Sequence, residues 1–328
     1  MMLEPSYLSL YYSGELKIRA DRLKARLTSC DICPRNCHVN RMEGETGICL
    51  SAYQPLVASF CDHHGEEPPI SGTHGSGTIF FANCNLRCVF CQNYQISQNP
   101  RVRLKNVVSI EKLAEIMLYL QNTLDCHNIN LVSPGHFVPQ IVEALLLAIP
   151  RGLNIPLVYN TNAYDAVETL RELDGIIDIY LPDIKYATNQ AAIRYSHAPD
   201  YAAISRASIK EMHHQVGNLK LDDQGIATKG LIIRHLILPN GIAGSEEVLR
   251  WIRSELGSEV TISLMSQYQP VFKAGSYPEI NRPITHQEYK HVLGVARELG
   301  LENVWAQGRS SPDNYLPDFE KEGHPFAG

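Results

Sequence analysis

Apolar and polar positions along this chain follow two alternating rhythms. Short, nearly continuous apolar runs occur at 77–81, 130–133, 157–160, 179–182, 231–238 and 261–265. Runs of this length and character predict strands buried on both faces. Between them, at 110–122, 139–149, 163–173, 201–216, 246–256 and 285–299, apolar residues recur every third or fourth position, the spacing of an amphipathic helix. Strands that alternate with helices predict a parallel sheet covered by helices, an α/β fold. About six such units suffice for a closed or three-quarter barrel.

The stretch ahead of the first strand is different. Residues 1–70 hold Cys30, Cys33, Cys37, Cys49 and Cys61 among turn-forming residues. After Glu66-Glu67-Pro68-Pro69, the polar, glycine-rich stretch 71–77 leads into the first apolar run. We therefore divide the chain into a small cysteine-rich, metal-binding segment, 1–70, and a core barrel, 71–328. His63 and His64 are expected on the polar surface, with a role near a metal cluster as the alternative, and Cys61 and Cys126 have no assigned role. Neither an internal repeat nor a low-complexity tract is visible.

Composition narrows the class. The chain has 328 residues, 44% hydrophobic and 20% charged, which suits a globular protein with a full core. The longest apolar run, 141–149, is too short to span a bilayer. The N-terminus lacks a basic n-region and an apolar h-region, so a cytoplasmic location is expected. Nine cysteines in that setting point to metal or redox use rather than disulfides. A net charge of −6 gives no general nucleic-acid footprint.

The most specific chemistry lies in Cys84-Asn85-Leu86-Arg87-Cys88-Val89-Phe90-Cys91, a C-x3-C-x2-C run directly after the first strand. Three closely spaced thiolates can hold three corners of a cubane iron–sulfur cluster, which four cysteines normally hold. The remaining iron is then open to a small molecule, as the metal is in an open zinc site. Zinc sites usually show paired C-x2-C or Cys/His spacings instead. In parallel barrels the carboxyl ends of the strands face the active site, and the cysteine loop lies at such an end.

The other strand ends supply further candidates. Ser133, Gly135 and His136 follow the second strand, where a capped helix start would use the same residue types. Asn160, Thr161 and Asn162 form a polar row after the third. Asp183 and Lys185 alternate at the end of the fourth and so share one side. Arg234 interrupts an apolar run and needs an anionic partner if buried. Met265, Gln267 and Tyr268, with Trp305, Ala306 and Gln307, are candidates for the substrate side.

The cysteine loop, with its aromatic Phe90, resembles the cluster loop of the radical S-adenosylmethionine (SAM) superfamily. With the stretches 71–93, 159–162, 181–185, 234–239 and 264–268, nearly the whole chain resembles a branch related to pyruvate formate-lyase activating enzymes. The resemblance implies a partial (β/α)6 barrel. It also implies a [4Fe–4S] cluster on the catalytic Cys84, Cys88 and Cys91, with SAM at the fourth iron. Reductive cleavage would yield methionine and a 5′-deoxyadenosyl radical that abstracts hydrogen from a substrate. Ser133, Gly135, Asn160, Thr161, Asn162, Asp183, Lys185 and Arg234 would bind SAM or orient the substrate. The Gly-Gly-Glu common in such enzymes is replaced here by Ser133-Pro134-Gly135-His136, which offers no carboxylate. A flavodoxin or ferredoxin would donate the electron, and the substrate would be a glycine of a glycyl radical enzyme or a small molecule.

Cys30, Cys33, Cys37 and Cys49 form a C-x2-C-x3-C-x11-C set. Four such thiolates close either a tetrahedral zinc site or a second iron–sulfur cluster, which would relay electrons or contact substrate. Two other classes remain open: an iron–sulfur electron-transfer protein that never cleaves SAM, and a zinc-binding adaptor.

Overall fold

The computed structural model describes residues 4–99, 106–306, 317–320 and 324–326. Six parallel strands form its centre: β2 (Ser76–Phe81), β3 (Ile129–Val132), β4 (Leu157–Thr161), β5 (Ile179–Pro182), β7 (Ala227–Leu236) and β8 (Thr261–Met265). They pair in the order β2-β3-β4-β5-β7-β8. Every residue of β2, β3, β4, β5 and β8 is buried, which explains why these segments read as continuous apolar runs.

Three strands were not legible in the pattern. β1 (Val57–His63) pairs antiparallel with β2, so the sheet begins inside the segment that precedes the glycine-rich entry. β9 (Val304–Ala306) extends the other end in parallel with β8, and the short β6 (Lys220–Leu221) forms a hairpin with β7. Trp305 and Ala306 lie on β9, whereas Gln307 lies outside the described residues.

Helices cover the outer face. Ser109 caps α5 (Ile110–Asn122) through the Lys112 amide at 3.1 Å, and the helix buries Leu113, Ala114, Met117 and Leu120. α6 (Val138–Ala148) packs beside it, and α9 (Tyr201–Val216) covers β5 and β7. α10 (Ser245–Leu256) and α11 (His286–Glu298) follow, the latter opened by a Thr285–Glu288 capping box.

The N-terminal segment is part of this layer. α2 (Glu15–Ala25) buries Leu16, Ala20 and Leu23, a helical stripe, against α6. Each fully buried leucine contributes about 1.5–3 kcal/mol. Lys24–Glu143 at 2.6 Å pins the rim of that contact, and Arg22–Glu172 at 2.8 Å ties α2 to the end of α7 (Val167–Glu172). The cysteine-rich turns after α2 thereby lie next to the carboxyl end of β2. Among the described residues, no helix is long and apolar enough to cross a membrane.

Candidate functional site

A cavity of about 220 Å³ opens at the carboxyl ends of the strands. Cys84, Cys88 and Cys91 line it, together with Ser133, Asn160, Thr161, Asn162, Asp183, Lys185 and Arg234. Gly135 is not among its lining residues. It sits in the turn after β3, where an added Cβ would meet Asp165 Oδ1 at 2.7 Å.

The cysteine loop is held by its backbone. Asn83 adopts φ 68° at the turn out of β2 and donates to Leu50 O and Ser51 Oγ, each at 3.1 Å. Arg87 N donates to Ser196 O at 3.0 Å and Val89 N to Tyr195 O at 2.8 Å, both from the end of α8 (Asn189–Ser196). Phe90 inserts edge-on against Tyr186 and Tyr268 at 6.5 and 5.6 Å between ring centres. Tyr268 therefore supports the loop from below, and Met265 and Gln267 reach the cavity wall.

Each thiol faces a hydrogen-bond donor. Cys84 Sγ accepts from Leu86 N and Asn162 Nδ2, both at 3.4 Å. Cys88 Sγ accepts from Ser196 Oγ at 3.0 Å, and Cys91 Sγ lies 3.2 Å from Ser97 Oγ. Burial raises all three thiols, Cys91 to about 12, while Lys185 draws Cys88 back down. Sulfurs on one wall, buried at Cys88 and half-buried at Cys84 and Cys91, each with a hydrogen-bond donor, are the donor set that iron–sulfur clusters use. Among the described residues, no three Cys, His or carboxylate groups meet closely enough to hold a single metal ion. A cluster, whose ligands stand on separate corners, fits this wall.

Opposite the thiols lies a buried charge network. Lys185 Nζ donates to Asp183 Oδ2 at 2.7 Å, and Arg234 Nε donates to Asp183 Oδ1 at 2.8 Å. The Arg234 fork continues to Asn160 Oδ1 at 2.5 Å and Glu66 Oε2 at 3.3 Å. The anionic partner that the sequence demands for Arg234 is thus found within the chain. Burial pushes the Asp183 carboxyl up, but Arg234 and Lys185 more than offset it, so its pKa is lowered. Burial likewise opposes the Lys185 ammonium, and Asp183 and Cys88 reverse that effect.

Glu66 and Glu67, on the β1–β2 connection, were missed in the sequence, where they read as part of a polar linker. Both line the cavity. Glu67 is only 7% exposed, and its Oε2 has no donor within reach among the described residues. An unpaired buried carboxylate oxygen costs roughly 1–3 kcal/mol or more. Burial, followed by their mutual repulsion at Glu67, raises this acid pair against the pull of Arg234. His63 corrects the surface expectation: it is buried, lines the cavity and stacks on Phe326 at 4.0 Å. His64, in contrast, is exposed.

The polar row after β4 divides its work. Thr161 Oγ1 donates to the buried Asp165 at 2.6 Å, while Asn162 donates to Asn85 Oδ1 at 2.8 Å and to Cys84. Asn160 faces the Arg234 fork. Ser133 takes a left-handed backbone at φ 56°, and its amide bonds to Asn160 O at 2.8 Å.

Cys30, Cys33, Cys37 and Cys49 line a second, far smaller cavity of about 10 Å³ with Arg35, Arg41 and His136. Burial pushes Cys33 up to about 12, with Cys49, Cys30 and Cys37 adding to the effect. This knuckle is joined to the first site by hydrogen bonds. Arg35 Nε donates to Asn85 O at 2.8 Å, and Arg87 donates to Ile48 O. Arg41 Nη1 donates to His136 O at 2.7 Å, and His136 Nε2 lies 3.0 Å from Ala82 O. Burial lowers His136 to about 3, so it is neutral and Nε2 is the donor.

Known proteins resemble this chain to different extents. The profile of the Radical SAM superfamily matches residues 78–207, the span from β2 through the first part of α9. Uncharacterized protein MJ0674 of Methanocaldococcus jannaschii is 32% identical over 298 residues, 88% of this chain and 80% of its own length. Uncharacterized protein MJ0808 of the same organism is 23% identical, over 91% of this chain and 87% of its own. Among solved structures, HydG, a maturase of the [FeFe]-hydrogenase, aligns with a TM-score of 0.43 at 12% identity, over 67% of this chain and 48% of its own. TYW1 with a lysine-pyruvate adduct bound aligns at 0.44 and 13% identity, over 72% of this chain and 77% of its own.

Proposed function

This chain belongs to the radical SAM superfamily, and from that premise we propose that Cys84, Cys88 and Cys91 hold the [4Fe–4S] cluster with which it cleaves SAM. When bound, the cluster would supply the one electron that splits SAM to methionine and a 5′-deoxyadenosyl radical. The observation that carries this assignment is the wall of three thiols, Cys88 buried and Cys84 and Cys91 half-buried, each facing its own donor, on a cavity with polar and charged groups across from them.

The chain's own groups bind and shield. Asn162 and Ser196 donate to sulfur and favour the thiolate form. Lys185, close to Cys88 and paired with Asp183, holds positive charge beside the sulfurs and can meet a carboxylate. Ser133 and Asn160 present polar atoms along the same rim. Leu86, Phe90 and Leu236 contribute apolar surface that excludes water from the thiol wall.

The substrate is a hydrogen donor that fits this cavity. Activation of a glycyl radical enzyme is one form of the reading. A cavity of about 220 Å³, with Pro317 and Phe326 of the C-terminal stretch on its lining, favours a small molecule. Cys30, Cys33, Cys37 and Cys49 would hold a second metal, either an iron–sulfur centre or a zinc that draws the thiols closer than they stand here, and it would stiffen the turns bracing the cluster loop. A flavodoxin or ferredoxin of the cytoplasm would supply the electron.

The test is direct. Anaerobically reconstituted protein, reduced with dithionite and given SAM, is expected to release 5′-deoxyadenosine. Cys88→Ala protein is expected to release none, and release at the wild-type rate would refute the ligand assignment.

A further inference from the structure

Acids outnumber cations in the cavity, and burial holds the Glu66–Glu67 pair toward its neutral form. The cavity's buried carboxyl groups are Glu66, Glu67 and Asp183, and its buried cations are Lys185 and Arg234. Both cations are already committed: Lys185 to Asp183, and Arg234 to Asp183, Asn160 and Glu66. His63, the remaining basic group beside Glu67, is lowered to about 4 by burial and is neutral.

One acceptor on the cavity lining, Glu67 Oε2, lacks a protein donor among the described residues, although Ser263 bonds the same carboxyl group. Asn130, fully buried behind the lining, donates Nδ2 to Glu66 Oε1 at 3.1 Å. Glu67 is not occupied by a capping role. Its carbonyl receives Ile70 N and Ser71 N at 2.8 and 3.1 Å, while its side chain makes no cap bond. The Pro68-Pro69 start of α3 (Pro68–Ser71) fixes that backbone and leaves the carboxyl aimed into the cavity.

The neighbouring wall is apolar. Phe80, Val132 and Phe326 line the cavity on this side, and Phe326 lies over His63. A charge path runs from Cys88 through Lys185, Asp183 and Arg234 to Glu66, so the acid pair stands at its far end from the thiols. A ligand that satisfies all of this carries a cationic head with several N–H donors on an apolar or aromatic stem.

Resting on the reading that this cavity takes the hydrogen donor, we propose that Glu67, with Glu66, receives the ammonium group of a small amine substrate whose stem lies against Phe80, Val132 and Phe326. The same ammonium chemistry exists on SAM, so the experiment separates the two sources. Reconstituted protein saturated with SAM is titrated with phenethylamine and with phenethyl alcohol, and binding is followed by ligand-observed NMR. The amine is expected to bind at least about tenfold tighter than the alcohol. Glu67→Gln is expected to reduce that ratio to near unity.

Equal binding of amine and alcohol to the wild-type protein overturns the proposal, whether or not the variant folds. So does a preference that survives in both Glu67→Gln and Glu66→Gln. Amine binding that appears only when SAM is left out would assign the pair to SAM's own ammonium and overturn the substrate assignment. Deoxyadenosine release is measured in parallel. Selective amine binding without release would refute the radical reading alone, and release without amine preference would refute the receptor alone.

Discussion

Arg234 and Asp183 meet twice. Their side chains pair at 2.8 Å, and their backbones form an isolated parallel bridge just beyond the last regular β5–β7 pair. Ile184 N donates to Arg234 O at 2.9 Å in the same place. The strands diverge there to form the cavity, and the ion pair ties them where the regular ladder has ended. A charge pair in this position serves the fold and the site together.

Removing the guanidinium should therefore be costly. Arg234→Met leaves Glu66 without its cation and Asp183 with Lys185 alone, and a loss of about 3 kcal/mol is expected. Denaturant titration of the anaerobic protein measures it. A loss below about 1 kcal/mol would mean that the pair behaves like a solvated one.

Asn83 links the N-terminal segment to the cluster loop. Asn83→Ala removes two hydrogen bonds, each about 1 kcal/mol, and puts an alanine at positive φ, which costs about 1–2 kcal/mol more. The cluster loop should loosen, and iron retained per chain after reconstitution and desalting should fall. Unchanged iron would show that the loop holds its shape without the segment.

Gly47 lies against Cys37. A Cβ at this position would stand 2.5 Å from Cys37 Sγ, so Gly47→Ala must displace the thiol. Elemental analysis should show a loss of metal from the N-terminal cysteines, as iron if the site is a cluster and as zinc if it is tetrahedral. A protein with full wild-type metal content would argue that these cysteines bind none.

His235 gives a pH signature. Its Nδ1 lies 2.7 Å from Ile184 O and its Nε2 lies 2.8 Å from Ser245 Oγ, and burial lowers it to about 4. Unfolded, it takes a proton near pH 6.5. Between these values the unfolded chain binds the extra proton, so this group's contribution to stability falls as pH falls. His235→Asn removes that slope. The deficit of the variant relative to wild type should shrink by about 2 kcal/mol from pH 7 to pH 5. A constant deficit would mean that His235 accepts its proton in the folded protein.

What the sequence revealed follows from how strongly each feature is patterned. Strands buried on both faces announce themselves, and α5 and α9 run from Ile110 to Asn122 and from Tyr201 to Val216 as their periodicity predicts. The cysteine loop carries its chemistry in its spacing. β1 was hidden because its burial is uneven and Cys61 drew it toward the cysteine-rich segment. Glu66 and Glu67 were hidden because two acids before two prolines look like a solvated linker, and only the return of the chain from β1 to β2 buries them. Ser97 and Ser196, which face the thiols, sit at helix ends with no local signal at all. Contacts that depend on chain segments a hundred residues apart leave no trace in a local pattern.

The central claim is that SAM docks at a cluster held by Cys84, Cys88 and Cys91. Electron paramagnetic resonance of the reduced, reconstituted protein with and without SAM tests it most directly. A cubane signal that SAM shifts in the wild-type protein, and that is lost in Cys88→Ala, is the predicted result. A SAM-induced shift that persists in Cys88→Ala, or a wild-type signal indifferent to SAM, would contradict it.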